Sequence, residues 1–501
     1  MEELGHLFHG FEIALAGWNL LYCLIGVTVG QLVGVLPGLG PTTATALLIP
    51  LTFGMSPVSA IIMLSGIYYG AMYGGTITSV LINTPGEAAS VITCLDGYPM
   101  AKQGRGGVAL AIAGIGSFIG GTVSIIGLAF IGPALANFAL RFGPPEFFSL
   151  MVLGLMMVVG LMGKSLTRGL IATFIGLTLS LIGMDTVSGA VRFTFGNDHL
   201  IDGFDLVIIA MGLFGITEIF IGMEDLSSLP KPAKIDGFMP KREEWGPALK
   251  AIHRGTWLGF LIGLIPGTSS AIPALLSYSL EKKLAKDPSR FGKGAIEGVA
   301  GPETANNSYC GAALIPLFTL GIPSSPTIAI ILGAFIMHGL TPGPTLFMNN
   351  PDFIWGVIAS MFIGNTLLVI MNVPMAGCWA KIAAVPPKLL YPLILIISIL
   401  GAYTNANEIW DVGVMLAGGI IGYFMNKLDI PMAPVVLTFV LSRLMERALL
   451  QSLKMFDGDI LLIFQRPICA ILLALAAIML IFSVIAAVQE KRKMFASDSE
   501  M

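Results

Sequence analysis

Long apolar runs recur from one end of the chain to the other. "ALAIAGIGSFIGGTVSIIGLAFIGPALA" fills Ala109 to Ala136, and "ICAILLALAAIMLIFSVIAAV" fills Ile468 to Val488. Runs of this kind reach the roughly 18 to 20 residues that a helix needs to cross a bilayer. They are rich in Leu, Ile, Val and Gly and do not alternate with polar residues, so the pattern predicts helices rather than barrel strands. At that length about ten to twelve crossings are expected, the spread coming from segments that Pro and Gly interrupt. Those interruptions matter because hydrocarbon offers no water to a broken backbone. Irregular chain survives at membrane depth only where protein buries it or a wet cavity borders it.

The interruptions repeat. A polar stretch from Glu224 to Arg254 divides the chain near its middle, and each half opens with the same phrase. "GVLPGLGPTTATALL" from Gly34 resembles "GLIPGTSSAIPALLS" from Gly263, and "YGGTITSVLINTPGEAAS" from Tyr73 parallels "YCGAALIPLFTLGIPSSPT" from Tyr309. Basic residues mark cytoplasmic loops. In the first half the loop after the first break has no charge, while Lys102 and Arg105 follow the second. The second half reverses this: Lys282, Lys283, Lys286, Arg290 and Lys293 follow its first break, and no basic residue lies in "GLTPGPTLFMNNPDF" after its second. The swap predicts two inverted repeats, 1–228 and 255–490, joined by a basic cytoplasmic linker at 229–254 and followed by a cytoplasmic tail at 491–501.

Broken helices at matching places in two halves point to a transporter's binding centre. The tips of the second pair of breaks, Asn83, Thr84, Pro85 and Gly86 with Gly321, Pro323, Ser324 and Ser325, predict a substrate site. Helix N-termini there present free amides and partial positive charge, which suit a carboxylate without any lysine or arginine. Glu87 reads as a support in the first helical turn after Pro85. The first pair, Pro37, Gly38, Thr42 and Thr43 with Gly267, Thr268, Ser269 and Ser270, offers hydroxyls and freed carbonyls. "GPETANNS" has no twin in the first half and adds Glu303, Asn306 and Asn307. Carbonyls, amides and one carboxylate suit a hard cation, so these residues predict a cation site. Sodium is favoured because such oxygens outnumber buried acids. A proton carried by Glu303 is the alternative. Read singly, each motif is also a proline kink, a re-entrant turn or a capped helix end.

Composition narrows the class further. Only 11% of the 501 residues are charged and 55% are hydrophobic, where soluble domains carry about 25% charged residues. The reading is an all-α polytopic membrane protein. Its net charge of −3 comes without the basic stripe of a nucleic-acid partner. The five cysteines and five histidines show no metal-ligand or disulfide spacing, so no cofactor is expected beyond a co-transported ion. The N-terminus lacks the basic region of a cleavable signal peptide. Asp185, Glu218, Glu408, Asp411 and Glu446 stand near the ends of apolar segments, where snorkelling or capping accounts for most of them. Arg443, Arg447 and Lys454 read as a cytoplasmic helix face. "VVGLMGKS" lacks the first glycine and the preceding strand of a phosphate loop.

The phrases "GVLPGLGPTTATALLIPLTFGM", "GGTITSVLINTPGEAASVITCLDGYPMAKQGRGGVAL" and "GPETANNSYCGAALIPLFTLGIPSSPTIAIILGAF" resemble the large membrane subunit of the tripartite tricarboxylate transporter family over nearly the whole chain. That resemblance implies a multi-pass protein of the bacterial inner membrane importing carboxylates on a sodium or proton gradient, by an elevator-like cycle. It implies a periplasmic solute-binding protein and a small four-helix membrane subunit as partners beside membrane lipid, and leaves a homodimer of the complex open. Members commonly carry a small residue after the paired asparagines; here it is Ser308. Two other classes remain for comparison. A passive organic-anion channel would need polar rings in several helices. An intramembrane enzyme would need a nucleophile with its base, a metal triad or paired aspartates, and the sequence offers none of these patterns.

Overall fold

The computed structural model describes every residue except 1, 37, 162–164, 186, 225–232, 234, 236, 383, 384, 386 and 499–501. Pro37 and the linker residues Lys231 and Lys234 therefore lie outside the described residues. The first half runs through α1 (Glu2–Leu15), α2 (Gly17–Val35), α3 (Pro41–Leu48), α4 (Pro57–Ile82), α5 (Val91–Lys102), α6 (Gly106–Ala139), α7 (Pro144–Leu161) and α8 (Leu166–Ser180). A loop then carries a small antiparallel ladder, Gly183–Met184 against Val191–Arg192. Next, α9 (Leu206–Ala210) continues through a π-helical stretch, Met211–Ile216, into α10 (Thr217–Glu224).

The second half begins with α11 (Trp245–Gly263), α12 (Ala271–Leu284), α13 (Glu297–Ala312), α14 (Leu314–Leu320), α15 (Pro326–Met337) and α16 (Leu346–Asn349). It continues with α17 (Pro351–Asn372), α18 (Ala376–Ile382), α19 (Pro387–Ala406), α20 (Ile409–Lys427), α21 (Ala433–Met455), α22 (Leu462–Gln465) and α23 (Pro467–Asp498).

Seven described helices are long and apolar enough to cross a membrane, with four shorter apolar helices beside them. The protein is an all-α polytopic membrane protein. The expected ten to twelve crossings are not all single long helices, because Pro and Gly split several apolar runs. α3 and α15 have 8 and 12 residues, too short to cross alone.

Two helix pairs form the centre. Gly26, Gly30 and Gly34 of α2 press on the backbone of Met63, Ile67 and Ala71 in α4; a β-carbon on Gly34 would meet the Ala71 carbonyl oxygen at 2.1 Å. Gly255, Gly259 and Gly263 of α11 do the same against Gly301, Ala305 and Tyr309 of α13. Lipid supplies little hydrophobic drive between helices, so stripes of small residues that let backbones touch supply dispersion instead. α4 is buried along its whole apolar window, and every residue of α13 is buried.

A similar order, helix, break, shorter helix, loop, helix, break, short helix, runs through α2 to α5 and α11 to α15, with α13 and α14 together standing where the first half has the single α4. α6 packs on α13, while α17 packs on α4. The basic loops meet at one end of the molecule. Arg105 pairs with Glu244, and Gln103 Nε2 donates to the Lys293 carbonyl at 2.8 Å. Asp96 Oδ1 accepts the amides of Gly292, Gly294 and Ala295 at 2.7 to 2.9 Å.

Candidate binding cavity

All four chain breaks border one cavity of about 480 Å³, a volume within the roughly 300 to 1,000 Å³ usual for small-molecule sites. Gly38 and Gly40 to Thr43 come from the first break, and Pro85 to Ala88 from the second. Ser269 and Ser270 come from the third, and Ser325, Pro326 and Thr327 from the fourth. Tyr68 and Met72 of α4, Tyr309 of α13, Phe214 and Glu218 of the π-helical rod, Val91, Met432 and Ala433 complete the wall.

The local sequence accounts for these helix starts. Pro41 opens α3 and Pro326 opens α15, a position where proline's missing amide costs nothing and its fixed φ suits the helix. Gly38 takes a φ of +88°, which glycine reaches without strain. Ser325 caps α15 by accepting the Ile328 amide at 3.4 Å. Ser269 Oγ accepts the Ala271 amide at 3.2 Å at the start of α12. Each start leaves amides free of helical partners and carries partial positive charge. The breaks are also tied across the halves: the hydroxyls of Thr42 and Thr327 lie 2.8 Å apart. Among the described residues, no lysine or arginine lines the cavity.

Of the substrate residues expected from sequence, Pro85, Gly86 and Ser325 line this space. Gly86 is sterically fixed, since a β-carbon there would come within 1.9 Å of the Gly34 carbonyl oxygen. Asn83 is an exposed C-cap of α4 in the left-handed region, at φ 59°. The Thr84 amide donates to the Thr78 carbonyl at 3.3 Å. Gly321 is the corresponding left-handed cap of α14. Pro323 is buried, and Ser324 donates to the Ala313 carbonyl at 2.8 Å. These five shape the turns and are not among the lining residues.

Of the expected cation residues, Gly38, Thr42, Thr43, Ser269 and Ser270 border the same cavity, so both pairs of breaks share one space. Gly267, at φ 79°, and Thr268, whose hydroxyl donates to the Ile265 carbonyl at 2.8 Å, stand behind it. Tyr309 links that turn to the wall by donating to the Thr268 carbonyl at 3.0 Å.

Glu303, Asn306 and Asn307 do not line the cavity; they form a buried network centred on α13 that reaches the wall through Glu87. Glu303 Oε2 accepts from Thr76 at 2.7 Å, and Oε1 accepts from Thr93. Asn307 Nδ2 donates to Ser117 at 2.8 Å. Asn306 Nδ2 donates to Glu87 at 3.1 Å, while its side-chain Oδ1 has no partner among the described residues. Ser308 donates to the Thr256 carbonyl at 2.7 Å and so fastens α13 to α11. Glu87 lies in a turn rather than in a helix, because α5 begins only at Val91. Its Oε2 accepts the Ala89 amide at 2.8 Å, closing that turn.

Glu218 is the wall residue that apolar patterning passes over. It stands six residues from the end of an apolar rod, where snorkelling is the ordinary reading, yet it faces the cavity. A π-helical turn directly before it changes which face the rod presents, and such turns cluster at functional sites. The other acids grouped with it behave as expected. Asp185 closes a loop turn, Glu446 pairs with Arg192, Glu408 with His199, and Asp411 accepts from Asn405. Arg443 donates to the Phe204 carbonyl and Lys454 to that of Val187. A larger groove of about 970 Å³ lies elsewhere, between α8, α20 and the π-helical rod. Its lining is mostly apolar, which fits a hydrocarbon chain better than an anion.

The family model of the tripartite tricarboxylate transporter TctA family matches residues 20–437. An uncharacterised 52.8 kDa protein from the TAR-I ttuC′ 3′ region of Agrobacterium vitis is 44% identical over 493 residues, covering 98% of both chains. A second uncharacterised protein of that organism, from the TAR-II ttuC′ 3′ region, is 43% identical over 234 residues, 47% of this chain and 97% of its own. An uncharacterised protein of Methanocaldococcus jannaschii is 31% identical over 110 residues, 22% of this chain and 27% of its own. No solved structure matches.

Proposed function

The chain belongs to the tripartite tricarboxylate transporter TctA family, which makes it a membrane component of a three-part transport system, and we propose that it imports organic anions of the di- and tricarboxylate class by ion-coupled alternating access. One observation carries the reading: four helix starts, two from each half, border one cavity lined by hydroxyls and, among the described residues, by no basic side chain. Amides at helix starts hold carboxylates by geometry and partial charge, and several of them around one space suit a ligand with several carboxylates. The substrate lies between Pro85–Gly86 and Ser325–Thr327. The co-transported cation, sodium in preference to a proton, lies toward Thr42, Thr43, Ser269 and Ser270, where hydroxyl oxygens gather.

Inverted repeats are part of the reading, supported by the doubled element order, by the exchange in which α6 packs on α13 and α17 on α4, and by the meeting of the two basic loops. Basic loops mark the cytoplasmic side. The inner membrane, a periplasmic binding protein that delivers substrate, a small membrane subunit and an elevator-like motion complete the proposal.

The test is uptake by proteoliposomes containing the complete transporter, against a panel of di- and tricarboxylates and aromatic acids with citrate among them. Separate sodium and proton gradients are imposed. Gradient-driven accumulation of at least one carboxylate is expected. Flux that only runs downhill, with current exceeding carrier turnover, would replace the importer with a channel.

A further inference from the structure

Three acids stand in or beside the proposed site, and their surroundings differ. Glu303 is enclosed, with a threonine hydroxyl on each oxygen. Glu87 reaches the cavity, but the Asn306 amide holds one oxygen and the Ala89 amide the other. Glu218 also borders the cavity and, among the described residues, accepts no hydrogen bond and pairs with no cation. Its Oε2 lies 3.5 Å from where a β-carbon on Gly38 would stand, so the carboxylate rests against the first chain break.

We infer that Glu218 is the coupling carboxylate of this transporter: neutralising it with a monovalent cation is what admits the substrate anion to the cavity. The inference rests on the importer reading above. An ionised Glu218 and a carboxylate ligand in one cavity repel each other, and among the described wall residues no lysine or arginine offsets the repulsion. Glu87 is less suited to relieve this, because each of its oxygens already accepts a protein donor. A cation on Glu218 removes the repulsion. By linkage, the bound substrate then tightens the cation by the same factor.

The ionisable groups facing this position leave the role to Glu218. Tyr68, Tyr309 and Glu87 stand around the cavity. α19 contributes Tyr391, packed where Gly222 lacks a side chain. α20 contributes Tyr423 and Lys427, both engaged by Glu224. The surrounding geometry suits a variable occupant. The π-helical turn turns Thr217 toward the Gly419 carbonyl at 3.2 Å. Thr43 donates to the Phe214 carbonyl at 3.4 Å, tying the first break to the rod that bears Glu218.

The experiment compares wild type with Glu218→Gln in proteoliposomes of the complete transporter. It uses radiolabelled citrate, or whichever panel member the wild type accumulates. One arm imposes a sodium gradient at equal pH, and the other a proton gradient without sodium; the arm that drives wild-type accumulation names the cation. Glutamine mimics the neutralised acid, so the variant should retain substrate exchange across the membrane while losing gradient-driven accumulation. Its substrate half-saturation should no longer depend on the cation, where coupled sites show roughly 5- to 150-fold dependence. Wild-type accumulation with unchanged cation dependence in Glu218→Gln overturns the inference and leaves the importer reading standing. Loss of exchange in a folded variant also overturns it, since Glu218 would then be needed beyond its charge. Failure of the wild type to accumulate any carboxylate strikes the importer reading itself. Should Glu218→Gln not reach the membrane, Glu218→Asp decides: a shifted cation half-saturation supports the role, and an unchanged one overturns it.

Discussion

Glu303 and Glu218 are both acids on helices of a membrane protein, yet their surroundings assign them opposite tasks. Glu303 stands mid-helix in α13, 1% exposed, and bonds α13 to α4 and α5 through Thr76 and Thr93. Glu218 stands in a cavity wall and, among the described residues, has no donor of its own. An acid in a membrane is a functional candidate by default, but the donors around it decide between a tie and an exchangeable site. A carboxylate that already satisfies two hydroxyls is costly to empty. One without partners changes occupant at little structural cost.

The largest expected effect follows from the tie. Glu303→Leu leaves the Thr76 and Thr93 hydroxyls buried without an acceptor, at about 1–3 kcal/mol for each. Thermal unfolding in detergent should fall by many degrees. Glu218→Gln orphans no protein donor and should stay within about 0.5 kcal/mol of wild type. Equal destabilisation of the two variants would erase the distinction between tie and exchangeable site.

That distinction was only half legible in the sequence. The apolar runs, the mid-chain division and the paired proline breaks were visible because helix length and backbone chemistry leave direct marks on residue order. Glu303 also stood out, since "GPETANNS" is polar where its twin is not. Its partners Thr76 and Thr93 lie 227 and 210 residues away, and no local pattern gives that pairing. Glu218 was hidden for the opposite reason: near the end of an apolar segment, a lone acid looks like an interface anchor, and only the π-helical turn before it re-aims the side chain. Asn83 shows the reverse error of emphasis. Its phrase marked the break correctly, but the side chain caps a helix at positive φ while Gly86, three residues on, meets the cavity. The glycine stripes of α2 and α11, spaced by four, were readable and bear directly on the core.

A middle-sized effect belongs to the turn that lies between the two acids. The turn before α5 carries Glu87, whose bond to Asn306 leads toward Glu303, and Gly86 lets that turn press on α2. Gly86→Ala places a β-carbon into the Gly34 carbonyl. Backbone on both sides must shift, at about 1–3 kcal/mol. Uptake should fall further than stability, because the shift moves the start of α5 away from the other helix starts. A variant with normal uptake would separate this turn from the substrate.

The smallest effect tests whether the cavity side of the comparison concerns binding rather than folding. Thr42 and Thr327 hold α3 and α15 together through hydroxyls 2.8 Å apart, and both border the cavity with Glu218. Thr42→Val and Thr327→Val each remove one hydroxyl at nearly constant shape, and the net worth of such a bond is about 0.5–1.5 kcal/mol. If the pair acts only as a tie, the double variant should cost no more stability than either single one, and substrate half-saturation should not move. If the hydroxyls also meet the ligand, half-saturation should rise in each single variant and again in the double one. Cavity residues are expected to follow the second pattern, since helix starts that converge on an anion need donors that remain free to turn toward it. Thr76 and Thr93 supply the control: each bonds a different oxygen of Glu303, so the stability costs of Thr76→Val and Thr93→Val should add while substrate half-saturation does not move.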